Sequence, residues 1–164
     1  MARIGKPPLV CPAIGVEQFV NGDFELGGFT GWTATGDWYV RDDGYPRFYV
    51  AWMYGDGVPI SGVLEQEFLT PIPVACFKDT SIFKVVTYWG YACWYDITDW
   101  KIEIIYTDDT VTTLDISGDS NKTWTEHNLK TILATGKTVK TIRITGSMDG
   151  HASYMGIDSC TCQI

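Results

Sequence analysis

SIFKVVTYWGYACWYDI, residues 81–97, is the run that decides the fold. It is dominated by aromatic and β-branched residues, the types that fit a pleated, half-buried surface. No 3.6-residue apolar period runs through it, so it reads as strand rather than helix. At a repeat of two, Phe83, Val85, Thr87, Trp89, Tyr91, Cys93 and Tyr95 share one face, and Tyr88 and Trp94 share the other. A bend is expected near Gly90, because a glycine inside a strand often marks a bulge or kink. A bulge there exchanges the faces of the later residues.

The same composition recurs outward from this run. RFYVAWM (47–53), GVLEQEFL (62–69), WKIEIIY (100–106), TVTTLDI (110–116), KTIRITG (140–146) and ASYMGIDSC (152–160) all read as strands, with turn residues between them. Asp108 and Asp109 form a short hairpin turn between two of these runs. TEHNLKTILATG (125–136) is the best helix candidate, with Thr125 as N-cap and Gly136 as C-cap, although its threonines suit an extended chain equally well. Eight to ten antiparallel strands predict an all-β fold, a two-sheet antiparallel β-sandwich of the jelly-roll kind, with a closed barrel as the alternative. The length of 164 residues fits one domain, 1–164, in which 1–12 form an N-terminal arm.

The formal charge of −8 argues against a nucleic-acid or anionic-membrane partner, since neutralising phosphates needs a basic patch. No apolar run is long enough to span a membrane as a helix. The start, MARIGKPPLVCPAIG, has two early cations but no continuous apolar core and no A-x-A site, so no secretion signal is read. The five cysteines, Cys11, Cys76, Cys93, Cys160 and Cys162, are odd in number and too few for a disulfide scaffold. Buried free thiols are one reading. The other joins the two ends, Cys11 to Cys160 or Cys162, with Cys76 to Cys93 beside it. An extracellular or virion setting favours the second.

NGDFELGGFTGW (21–32) is rich in turn residues and ends on a large ring. If Phe24 points into the core, the repeat of two puts Asp23 and Glu25 on the opposite side. Two carboxylates beside a turn are hard oxygen donors suited to calcium, and a turn held by Asx hydrogen bonds is the plainer alternative. Together with YMGIDSC (154–160), this segment resembles the terminal signatures of jelly-roll carbohydrate-binding modules with a galactose-binding-like fold, the xylan- and glucan-binding kind often attached to glycoside hydrolases. In that family Asn-Gly-x-Phe-Glu is followed by Gly-Trp, and the last strand reads aromatic-x-x-Ile-Asp-Asp. Here Tyr154, Ile157 and Asp158 match, and Ser159 stands where the second Asp is expected. The resemblance implies that the first and last strands lie side by side. It also implies a structural calcium held by Glu25 and Asp158, with Asp23 as a further ligand. It places Cys11 near Cys160 and Cys162.

Aromatic residues make up 14% of the chain, more than one core needs. Flat rings with a polar handle suit a half-wet surface on which the C–H faces of sugars stack. Trp38, Trp52, Trp89, Tyr91 and Trp94 are therefore the candidate ligand-binding rings, and Arg41, Asp42, Asp43 and Arg47 supply polar groups near the first of them. Catalytic signatures are lacking: there is no G-x-S-x-G, no H-E-x-x-H and no phosphate loop. Glu65 and Glu67, on one strand face about 7 Å apart, carry no supporting motif. The expectation is a non-catalytic domain, extracellular or on a virion or cell surface, that binds a neutral glycan or polysaccharide. The alternative is a self-assembling structural subunit, a virion decoration or surface-fibre protein whose rings contact identical subunits or other surface proteins.

Overall fold

The computed structural model describes residues 9–43, 49–91, 97–119, 122–149 and 153–164, with the side chains of Tyr91 and Ser153 outside the description. In chain order the strands among these residues are β1 (Thr33–Gly36), β2 (Tyr39–Asp42), β3 (Tyr49–Gly55), β4 (Ile60–Pro73), β5 (Ile82–Tyr91), β6 (Ile97–Tyr106), β7 (Val111–Asp115), β8 (Thr125–Asn128), β9 (Thr138–Met148) and β10 (Ser153–Gln163). They form two five-stranded sheets, ordered β1-β4-β9-β6-β7 and β2-β3-β10-β5-β8. Every pairing within them is antiparallel. The fold is thus the jelly-roll sandwich that the strand pattern predicts.

Alternation builds the core. Trp100, Ile102, Ile104 and Tyr106 of β6, with Ile142 and Ile144 of β9, are fully buried between the sheets. Each such side chain contributes about 1.5–3 kcal/mol by leaving water. On the outer face of the same sheet, Glu65, Arg143 and Glu103 lie in one cross-strand row. Arg143 Nε donates to Glu65 Oε2 at 2.7 Å. Glu65 is therefore one end of a structural ion pair, while Glu67 is exposed.

Residues 125–136 are not a helix. Their first four form β8, pinned to β5 from Thr87–Thr125 to Lys84–Asn128, and a 3-10 turn follows at Leu129–Ile132. Sheet pairing claims the residues that a helix would need for its first turn.

The N-terminal segment runs along the last strand, as the resemblance implies, but as irregular chain. Gly15 N donates to the Ile164 carbonyl and Gln18 N to that of Cys162, both at 2.8 Å, and Cys160 N donates to the Gly22 carbonyl at 2.7 Å. One carboxylate oxygen of Glu17 accepts from the backbone N–H groups of Gln18, Phe19 and Cys162. The Gln66 amide, buried on β4, accepts from Val20 N at 2.7 Å and donates to Val20 O at 2.9 Å, standing in for a strand partner. The first regular strand, β1, lies in the opposite sheet beside β4.

The opening motif is a turn, not a strand. Asn21 and Phe24 have φ of 51° and 59°. The Asn21 side chain donates to the Gly28 carbonyl and accepts from Leu26 N. Phe24 reaches the core through this turn, and Trp32 stacks on Phe19 at 5.6 Å between ring centroids.

The disulfide pairing differs from expectation. Cys11 is bonded to Cys76, with a Cα–Cα distance of 5.6 Å, whereas Cys160 and Cys162 are free and buried. Both sit at alternate positions of β10 and so face the core together. Burial, with the nearby Glu17 carboxylate adding to it, pushes both thiols up and keeps them protonated and unreactive. Cys93 lies outside the described residues.

Candidate functional site

The outer face of the β2-β3-β10-β5-β8 sheet carries a second aromatic cluster. Along β3, Ala51 and Met53 belong to the core while Trp52 and Tyr54 point the other way. Along β10, Met155 and Ile157 face in, leaving Tyr154 and Gly156 outside. Along β5, Phe83 and Val85 face in, and Tyr88 and Gly90 face out. The register then lines these positions up. Tyr39 is opposite Trp52, Trp52 opposite Gly156, and Gly156 opposite Tyr88. The β5–β8 pairing ends at Thr87–Thr125, and the preceding residue, Trp124, brings its ring to 5.0 Å from Tyr88. One row therefore crosses the whole sheet with a glycine at its centre.

That glycine is a matter of space. A Cβ on Gly156 would lie 2.6 Å from Trp52 Cζ3, and one on Gly90 would lie 2.9 Å from Tyr154 Cζ. Gly90 therefore makes room for a ring rather than a bend. The register of β5 against β10 shifts elsewhere, between Ile157 and Ser159. Trp52 meets Tyr154, Trp124 and Tyr88 edge to face at 5.7, 5.8 and 5.9 Å, and Tyr88 stacks on Tyr154 at 5.6 Å. Contacts of this kind add to simple area burial.

The cleft so formed has a volume of about 490 Å³ and is lined by these four rings, Tyr39, Tyr54, Arg41 and Asp43. Trp52, 6% exposed, is its floor, whereas Tyr54 at 49% and Tyr39 at 37% stand out into solvent. Arg41 Nη2 donates to Asp43 Oδ1 at 2.8 Å, so the two rim charges offset each other. That hydrogen bond raises the Arg41 pKa further. Burial, aided by the hydrogen bond with Tyr154, pushes the Tyr88 phenol up to about 12. Burial likewise raises Tyr39, against the pull of Arg41. Both phenols stay neutral at physiological pH, offering hydroxyl donors and acceptors beside apolar faces. Asp43 is the one carboxylate among the described lining residues, and hydrolysis of a glycosidic bond uses two.

Of the rings singled out in the sequence, Trp52 lines the cleft. Trp38 is buried on the core side, 6.4 Å from Trp100 and against Gly62, so its indole has no face toward the cleft. Trp89 is on the inner face of β5, where its indole N–H donates to the Asp119 carbonyl at 3.0 Å. The side chain of Tyr91, and all of Trp94 and Arg47, lie outside the described residues. Tyr39, Tyr54, Tyr88, Trp124 and Tyr154 were not singled out as ligand rings. Trp124 sits in a polar stretch with no strand signal, and the others become a site only through register.

The proposed metal ligands are spread along the turn and the β10 irregularity. Asp23 Oδ1 accepts from Glu25 N, Glu25 Oε1 accepts from Tyr49 N at 3.2 Å, and Asp158 lies where the β10 register shifts. Among the described residues no three carboxylate, histidine or cysteine side chains gather into a metal-ligating group. Calcium takes six to eight oxygens, so these side chains do not by themselves form its cage.

No protein-family model and no curated protein matches this chain. Solved structures do. The second of the family 16 carbohydrate-binding modules is similar at a TM-score of 0.57 and 13% identity, over 90% of this chain and 99% of that one. The CBM22-1 xylan-binding domain of Paenibacillus barcinonensis Xyn10C is similar at 0.50 and 12%, over 93% and 95%. The enzymatically active domain of bacteriophage CBA120 tailspike protein 4 is similar at 0.56 and 10%, over 90% of this chain, which spans 21% of that one. The chain has the jelly-roll fold of carbohydrate-binding modules.

Proposed function

We propose that this domain is a non-catalytic carbohydrate-binding module that takes a neutral glycan into the cleft of β2, β3, β10, β5 and β8. The observation that carries the proposal is the aromatic row crossing that sheet, with Gly156 keeping its centre low. The rings supply stacking faces for sugar C–H groups, and the tyrosine hydroxyls meet sugar hydroxyls. A ligand without charge fits a lining in which Arg41, the one arginine among the described lining residues, is paired with Asp43. An extracellular setting fits the Cys11–Cys76 disulfide. Electrophoresis of the native protein in gels cast with single soluble polysaccharides tests the reading through selective retardation.

Calcium belongs to the same proposal as a structural ion at Glu25 and Asp158, with Asp23 as a further ligand. Adding a chelator is then expected to lower the melting temperature, and Glu25→Gln to abolish the chelator's effect. A melting curve identical with and without chelator removes the ion from the account.

The assembly reading draws on the apolar side chains left exposed in and near the N-terminal arm, Leu9, Val10, Ile14 and Val16. In the same gels it predicts ladders or material too large to enter, whatever polysaccharide is present.

A further inference from the structure

The cleft is open to solvent, but one of its walls is fixed from the opposite side of the sheet. Trp124 enters at the free end of β8, an edge strand held to β5 by four residue pairs. An edge strand this short is a weak mount for a ring that must keep its place. The chain leading into it is anchored on the core side instead. The Trp89 indole N–H donates to the Asp119 carbonyl at 3.0 Å, and Lys122 N donates to the Trp89 carbonyl at 2.8 Å. Asp119 N in turn donates to the Ile116 carbonyl. One residue of β5 thus grips the incoming segment at two points, using its side chain and its backbone.

A buried polar contact reinforces the grip. His127 of β8 faces the core side, with Nε2 at 2.8 Å from Thr87 Oγ1 and 3.1 Å from Asp119 Oδ2. Burial lowers the His127 pKa against the attraction of Asp119, so the imidazole is neutral at physiological pH. Two oxygens meet one ring nitrogen, and the ring's tautomer sets whether it donates to the Thr87 hydroxyl or accepts from it. Asp119 Oδ2 makes no hydrogen bond of good geometry, and what it gains from the ring is electrostatic. Trp89 thus supplies two hydrogen bonds of the clamp, one from its indole and one to its carbonyl.

We propose that Trp89 is a positioning residue for the cleft, holding the segment that carries Trp124 so that its ring stays against Trp52 and Tyr88 on the other face. Trp89 and Trp124 sit on opposite faces of one sheet, and the Lys122 amide, two residues before Trp124, is bonded to the Trp89 carbonyl. The inference rests on the glycan-binding reading of the cleft for its consequence, but not for its geometry.

Trp89→Phe keeps a ring in the core and deletes the indole donor. On gels cast with soluble xylan, mixed-linkage β-glucan or β-1,4-galactan, it is expected to weaken retardation about tenfold. Hydrogen exchange of the buried Trp52 indole, a group that neither substitution removes, should quicken as the Trp124–Trp52 pair loosens. On a Trp124→Ala background, Trp89→Phe should then leave Trp52 exchange unchanged, because the ring it positions is gone. Full additivity of the two substitutions on Trp52 exchange, or unaltered Trp52 exchange in Trp89→Phe, overturns the proposal. If the wild type is retarded by none of the three polysaccharides while that coupling is present, the clamp stands and the glycan reading falls. Should Trp89→Phe not fold, hydrogen exchange on the wild type decides. Saturation with whichever of the three polysaccharides retards it should slow exchange of the Trp89 indole and the Lys122 amide, by reciprocity of linkage. If none does, Trp124→Ala should speed exchange at both. Unchanged rates in either case overturn the clamp.

Discussion

Trp52→Ala is expected to abolish polysaccharide retardation, a loss of about 100-fold or more in affinity. The indole touches Tyr88, Trp124 and Tyr154 at once, so its removal takes away the floor and unseats the walls. The same substitution should lower folding stability by about 3 kcal/mol, because Trp52 is 6% exposed and a buried Trp leaves a large void. Binding and stability are therefore both affected at this position, and a second variant separates them. Trp124→Ala removes a half-buried ring outside the core cluster, so affinity should fall nearly as far with a much smaller change in melting temperature. If both variants kept full retardation and Trp52→Ala only melted earlier, the outer rings would be a second core and not a binding surface.

The second large effect concerns the N-terminal arm. Replacing Cys11 and Cys76 together by serine is expected to destabilise the domain by about 4 kcal/mol, the chain-entropy value for a loop of this length. The bond closes a separation of 65 residues and ties the arm to the 3-10 turn after β4. The Glu17 and Gln66 hydrogen bonds remain and should keep the arm partly docked. Thermal unfolding with and without reductant gives the magnitude. Mass mapping without reductant gives the pairing: a peptide joining Cys11 to Cys76, with Cys160 and Cys162 alkylated only after unfolding. A bond from Cys11 to Cys160 or Cys162 would contradict the fold described.

Much of this architecture was legible in the sequence because alternation is local. Ile142 and Ile144 against Arg143 announce a strand and its buried face without knowledge of the neighbours, and the Asp108–Asp109 turn announces a hairpin. The cleft was legible only as an excess of rings. Which rings share it depends on register, and register joins residues as distant as Trp52, Gly156 and Tyr88. Gly90 shows the limit: a local rule makes it a bend, whereas the cross-strand neighbour Tyr154 makes it a space. Trp38 and Trp89 show another. Alternation groups Trp89 with Phe83 and Val85 without telling which face is the core, nothing adjacent to Trp38 tells its face, and both turn to the core side. The cysteines failed for the same reason. The resemblance rightly brings the N-terminal segment beside β10, along Gly15–Gly22, but it wrongly places Cys11 near Cys160 and Cys162, which face the core while Cys11 bonds Cys76.

The most direct test is affinity electrophoresis of the wild type beside Trp124→Ala, across gels each cast with one soluble polysaccharide and a gel with none. The account predicts that the wild type is retarded by one or a few neutral polysaccharides, and that Trp124→Ala migrates alike in every gel. Equal migration of the wild type in all gels, or retardation that Trp124→Ala leaves intact, would contradict binding through this cleft.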